Sequence, residues 1–371
     1  MKRLFGWLEE RRETYLLGLA RVVLSLMYAH HASKLLRTAL DNGYFADSFY
    51  IPFLPEAWVP SRSVYLALLG VQIVAALLAA LGKFARPLLL LASSIGLYLF
   101  CCNRLDYHNN RYVLHLMVFL ISFAPCDRSF LAFGPKLGAE QRVGAIWAQR
   151  LAQIQISLVY VASAGSKLFD DDWRGGQVLL LRYRNIVRWW LEHGHPLPDS
   201  VVAALGSPTF ADATSKAAIF TELFVALGLW FGRTRAFALW LGVMLHLGIE
   251  LGAAVEVFSL LMWASYLLFC VPELRERKFF YDPTQAIGRA FARTLRYLDW
   301  LARFEIAPQV FPRSTEPSAV RWGISVIDRN QRADDGFGAL VLVARAVPLL
   351  FPLWLPLFVL RRVTRPRRPA G

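Results

Sequence analysis

An all-α fold, a polytopic transmembrane helix bundle of about eight spans, is the class this sequence predicts, on two observations. Of its 371 residues, 56% are hydrophobic and 14% aromatic but only 18% charged, which leaves too little polar surface for a water-soluble chain. The apolar residues are also gathered into runs of roughly 16 to 23, the length a helix needs to cross a hydrocarbon core of about 30 Å. In lipid every backbone group must bond internally, so the runs are predicted helices. The alternating segments of about ten residues that mark a membrane β-barrel are missing.

The runs lie at Tyr15 to Leu36, Val64 to Leu81, Pro87 to Cys102, Tyr112 to Ala124, Ile146 to Gly165, Ala217 to Phe231, Arg235 to Leu251 and Ala253 to Cys270. A ninth apolar stretch, Ala339 to Leu360, contains Pro348, Pro352 and Pro356. Three missing backbone donors predict a kinked or re-entrant segment rather than a straight span. The net charge of +14 does not point to nucleic acid, because the basic residues cluster at span ends. Lys2, Arg3, Arg11 and Arg12 precede the first run, Lys83 and Arg86 follow the second, Arg128, Lys136 and Arg142 follow the fourth, and Arg233 and Arg235 follow the sixth. All four groups fall on one side, taken as cytoplasmic. The loop with Asp41, Asp47 and Glu56 and the loop from Lys167 to Lys216 then lie outside, although the latter carries Arg174, Arg182, Arg184 and Arg188.

Four segments follow: a cytoplasmic N-terminus (1–13), the bundle (14–272), a cytoplasmic extension (273–337) with amphipathic pieces such as Ile287 to Phe304, and an apolar re-entrant or interfacial segment with a basic tail (338–371). The tail residues Arg361, Arg362, Arg365, Arg367 and Arg368 are expected beside anionic headgroups. The first run continues to spanning length without a cleavage pattern, so a multi-pass protein of the cell (inner) membrane is expected, with membrane lipid as its first partner. Cys101, Cys102, Cys126 and Cys270 show no metal-ligand spacing and read as structural thiols.

Ionisable residues inside spans cost roughly 2.5 to 3.5 kcal/mol each, so they mark candidate function. Under the predicted topology most converge on the outer leaflet: Lys167 with Asp170, Asp171, Asp172 and Trp173; His30, His31 and Lys34; Asp106, His108, Asn109 and Asn110; His246 with Glu250 one turn on; and Glu256. Arg21 and Glu222 are expected deeper or nearer the cytoplasm.

Tyr160-Val-Ala-Ser-Ala-Gly-Ser-Lys167-Leu-Phe-Asp-Asp-Asp172-Trp173-Arg-Gly-Gly resembles a pattern of the vitamin K-dependent gamma-carboxylases, in the horizontally transferred transmembrane (HTTM) family. His246 with Phe258-Ser-Leu-Leu-Met-Trp-Ala-Ser-Tyr-Leu-Leu-Phe-Cys270, Leu17-Gly-Leu-Ala-Arg21 and Asn109-Asn110-Arg-Tyr112 are similar to further family segments, in the same order, from about Thr14 to Pro272. The resemblance implies a lyase-like membrane enzyme in which Lys167, assisted by His246, deprotonates a vitamin K-type hydroquinone. The pocket would be lined by His108, Asn109, Asn110, Tyr160, Asp172, Trp173 and Glu250. A desolvated amine gives up its proton more readily, while the neighbouring aspartates oppose this. Arg111 stands where the carboxylases carry a histidine, and one extra residue separates Lys167 from Trp173. No stretch here matches the carboxylases' large lumenal portion, so a quinol or other lipid-soluble substrate is expected rather than a protein.

Other readings of these residues stay open. Lys167 could snorkel to the interface and pair with an aspartate, and His246 could be an interhelical hydrogen-bonder. Asn109 and Asn110 could cap a helix, and Trp173, Trp189 and Trp190 could belong to an interfacial belt. A haem module with His115 and His246 as axial ligands, and a noncatalytic lipid-binding, transport or assembly protein, are the alternatives to an enzyme.

Overall fold

The structure, a computed structural model, describes residues 6–43, 50–132, 138, 140–252, 257–310 and 322–364. Lys2, Arg3, Asp47, Lys136, Glu256, Arg365, Arg367 and Arg368 lie outside the described residues. The chain forms two compact units, Met1–Cys270 and Val271–Gly371.

In the first unit each apolar run overlaps a helix: α1 (Tyr15–Asp41), α2 (Arg62–Leu81), α3 (Ala85–Phe100), α4 (Asn109–Ser122) and α5 (Trp147–Leu168). The loop after α5 is itself helical, with α6 (Asp171–Arg174), α7 (Gln177–Glu192) and α8 (Asp199–Gly206). Then come α9 (Pro208–Gly228), α10 (Arg235–Gly252) and α11 (Phe258–Tyr266). By length and composition alone, α2 is the helix long and apolar enough to cross a membrane among the described residues, and α3 is a shorter apolar helix. α1 to α4 pack in sequence, α5 packs on α9, and α9 on α10. Contacts of α4 with α5 and of α11 with α1 join the two sets around one core that includes Leu24, Met117, Ile156 and Leu261.

Two ties hold helix ends that would otherwise leave polar groups unpaired. The buried Arg21 donates to the carbonyls of Cys126 (2.8 Å), Ser129 (3.0 Å), Ala80 (3.3 Å) and Phe130 (2.6 Å). A short strand β1 (Arg11–Glu13) pairs antiparallel with β2 (Val143–Ala145), and Arg150 of α5 reaches Glu10 at 2.8 Å.

The second unit corrects the all-α expectation. It holds a four-stranded sheet of order β4-β3-β5-β6, from β3 (Arg277–Tyr281), β4 (Phe304–Pro308), β5 (Ile324–Ile327) and β6 (Ala333–Asp335). Helix α12 (Ala286–Leu298) follows β3, and the expected amphipathic piece ends in strand β4 instead of continuing to Phe304 as helix. Strands of three to five residues leave no hydropathy signal, which is why they escape a search for long apolar runs. The proline-bearing stretch breaks into α13 (Phe337–Ala346), a 3₁₀ turn at Pro348–Leu353 and α14 (Trp354–Thr364). Ala339, Val343, Ala346 and Val347 pack with Phe279, Leu295, Ile324 and Val326, so burial against the sheet accounts for the apolarity of α13.

Candidate functional site

Tyr160, Ser163 and Lys167 fall at i, i+3 and i+7 of α5 and therefore share one face. That face meets α9, which brings Glu222, while α10 and α11 supply His246 and Tyr266. Lys167 Nζ pairs with Glu222 Oε1 and donates to Ser163 Oγ at 2.8 Å, and Ser163 Oγ donates to the same carboxylate oxygen at 3.1 Å. The pair is well shielded, with side-chain exposure of 15% for Lys167 and 6% for Glu222.

The run of acidic residues after Lys167 serves the backbone. Asp170 caps α6 by accepting from the amides of Asp172 (2.9 Å) and Trp173 (3.1 Å), a turn typical of aspartate at a helix start. The turn brings the Trp173 ring over Lys167, with Nζ 5.1 Å from the ring centre. Ser215 of α9 donates to the Trp173 carbonyl and fastens the turn. Lys167 is thus held by a carboxylate, a hydroxyl and an indole face.

Beside it runs a chain of hydroxyl and imidazole groups. The Tyr160 hydroxyl is bonded to His246 Nε2 at 2.7 Å and to the Tyr266 hydroxyl. All three residues are buried, and the His246 ring meets Phe258 edge-on. Gly242 makes room for this contact: a Cβ there would lie 2.1 Å from the Tyr266 hydroxyl oxygen. Lys167 stands near enough to His246, and Glu222 to Tyr160 and Tyr266, for their charges to interact. Glu222 Oε2 and His246 Nδ1 are buried and make no hydrogen bond among the described residues. The cluster therefore offers a cation, a carboxylate, a hydrogen-bonded chain of two phenols and an imidazole, and two polar atoms without a hydrogen bond among the described residues.

The structure brings four of the residues singled out in the sequence together: Lys167, Tyr160, Trp173 and His246. The others stand apart. Asp172 and Glu250 are exposed, and the amide of Asp172, rather than its carboxylate, enters the capping turn. His108 caps α4 by accepting from the Asn110 amide at 3.4 Å, Asn109 is exposed and Asn110 buried. Trp189 and Trp190 are exposed on α7, as are His30 and Lys34 on α1. His115 and His246 have different partners: His115 Nδ1 bonds the Tyr28 hydroxyl at 2.6 Å and its ring meets His31, whereas His246 Nε2 bonds Tyr160. The described residues contain no group of three metal-ligating side chains.

Glu222, Ser163 and Tyr266 complete the cluster, and the sequence reading left them outside it. A signal existed for Glu222, since a carboxylate within an apolar run needs a partner. It was expected deeper because the apolar run begins at Ala217. α9 starts nine residues earlier, at Pro208, and Glu222 pairs with the residue just before the end of α5.

Among the described residues, polar groups are buried between the helices, and one helix has the length and apolarity to cross a membrane. The family model described as the HTTM domain matches residues 10–274, and the chain belongs to this family of membrane proteins. No curated protein and no solved structure matches it.

Proposed function

We propose that this chain is a multi-pass protein of the cell membrane, and an enzyme that takes a proton from a quinol or another lipid-soluble substrate at Lys167. The observation that carries this reading is the shielded Lys167–Glu222 pair beside the Tyr160–His246–Tyr266 chain. Ionised groups so placed are expensive in a membrane and are kept where they handle charge. Lys167 Nζ can pass a proton to Glu222 Oε1 along their hydrogen bond, which leaves an amine able to take another from a bound ligand. His246 Nδ1, buried and without a partner among the described residues, suits an oxygen of such a ligand, and Phe258 and Trp173 provide aromatic faces for a ring. A quinol would supply the acidic O–H. Its expected multi-pass topology rests on the eight helices that overlap the apolar runs.

The test is mass spectrometry of lipids that copurify with wild type and with Lys167→Ala. A quinone enriched in wild type and lost from the folded variant supports the reading, and equal lipid profiles refute it. A second reading, a noncatalytic lipid-binding protein, is favoured by one observation: Glu222, Ser163 and Trp173 together satisfy Lys167 as a structural clamp would. Turnover of the bound quinol by wild type separates the two.

A further inference from the structure

We propose that the second unit carries an oxyanion site for a phosphate group, at the end of its sheet where Arg277, Arg303, Arg329 and Arg345 surround Glu273. Strand register builds it. β3 and β4 run parallel with Arg277 opposite Phe304, and β5 runs antiparallel with Lys278 opposite Ile327. The start of β3, the start of β4 and the end of β5 therefore share one sheet end. Glu273, Arg277, Arg303 and Arg329 lie at or just beyond those strand ends, and α13 adds Arg345, which interacts electrostatically with all four. Arg277 Nη2 lies 2.6 Å from Glu273 Oε2, and Arg329 Nη1 lies 2.7 Å from Oε1.

One carboxylate cannot balance four guanidiniums, so three positive charges remain uncompensated within the cluster. Two guanidinium donors, Arg277 Nη1 and Arg303 Nε, are buried with no acceptor among the described residues. Buried donors of this kind are costly unless something accepts from them. Arg277 forms the floor at 13% side-chain exposure, and Arg329, at 52%, opens the cluster to the surface. Burial, then Arg277, holds the Arg345 guanidinium below its ordinary range; Arg329 and Arg303 add to this and Glu273 opposes it. A bound anion would relieve that repulsion. Guanidinium forks match the paired oxygens of a phosphate, and the excess charge suits a doubly charged group. A lipid headgroup and free phosphate share this chemistry.

The test uses the full chain in nanodiscs of phosphatidylcholine, titrated calorimetrically with inorganic phosphate at constant ionic strength. Saturable binding is expected in wild type, and binding at least about tenfold weaker in Arg329→Gln/Arg345→Gln, with circular dichroism and hydrogen exchange in β3 used to establish that the variant is folded. Glu273→Gln, which removes the competing internal anion, should tighten binding wherever it folds. Repeating the titration with phosphatidic acid in the discs separates the sources: loss of phosphate binding identifies a lipid headgroup as occupant, and unchanged binding a soluble anion. No saturable binding in phosphatidylcholine discs, or equal affinity in wild type and the double arginine variant, overturns the proposal.

Discussion

If Lys167 and Glu222 act as one unit, removing either should do more harm than removing both. The perturbation is a double-mutant cycle with Lys167→Met and Glu222→Gln. Each single change strands a group shielded to 15% or 6% exposure. Among the described residues, Lys167→Met leaves Ser163 as the one remaining hydrogen-bond donor to the carboxylate, on the same oxygen. Breaking a buried pair by deleting one partner costs about 3 to 5 kcal/mol, and the residual 15% exposure of Lys167 argues for the lower end. Two charges at about 4 Å attract by roughly 4 kcal/mol at an effective dielectric of 20, so a coupling of about 2 to 3 kcal/mol remains after partial desolvation is discounted. The assay is reversible unfolding of the full chain in mild detergent, followed by tryptophan fluorescence, for all four forms. Single-variant losses that add to within about 0.5 kcal/mol would refute the reasoning, because additivity of that quality marks independent sites.

Two further outcomes follow from the geometry. Gly242→Ala should lower stability by about 1 to 3 kcal/mol through the clash with the Tyr266 hydroxyl, and adding Tyr266→Phe should recover most of it; thermal unfolding without recovery would place the strain elsewhere. Burial raises the Glu273 carboxyl, but Arg277, Arg303 and Arg329 outweigh it and hold the group below its ordinary 4.5. The folded pKa is depressed, so the stabilisation is present above pH 4.5 and fades as pH falls through the folded value. Hydrogen exchange in β3, corrected for intrinsic rates, should show protection falling with acid in wild type but hardly at all in Glu273→Gln.

The helices of the first unit were legible because their signal is long-range and redundant: a run of apolar residues survives errors of several positions at each end. Helix ends were less legible. The stretch Pro208 to Lys216 contains Thr209, Asp212, Thr214, Ser215 and Lys216, and hydropathy discards it as loop. Its helix start is written instead in Ser207, which accepts from the Phe210 amide, and in Pro208 at the first helical position. Reading those two residues moves the start of α9 back by more than two turns. The second unit was less legible for the opposite reason: its strands are too short to leave a hydropathy signal, although the apolar residues of α13 pack against the sheet they form.

The same distinction explains which site residues could be found. Lys167 and His246 stand out because charge and imidazole are conspicuous among apolar neighbours, while Asp172 and Glu250 were conspicuous for the same reason and proved exposed. Composition identifies what is costly to bury, and only packing says whether it is buried. A Tyr–His hydrogen bond occurs twice among the described residues of the first unit, and each has a glycine against its cluster: a Cβ at Gly96 would lie 1.9 Å from the Tyr28 hydroxyl oxygen, and one at Gly242 would lie 2.1 Å from that of Tyr266. Both glycines let a phenol reach into a helix interface, so the motif itself is a packing device and does not distinguish function. What distinguishes the Tyr160–His246 cluster is the ion pair that Lys167, two turns along α5, makes with Glu222 of α9, near enough for its charges to act on the cluster. The proposed chemistry therefore rests on that cluster, and the Tyr28–His115 contact is given no part in it.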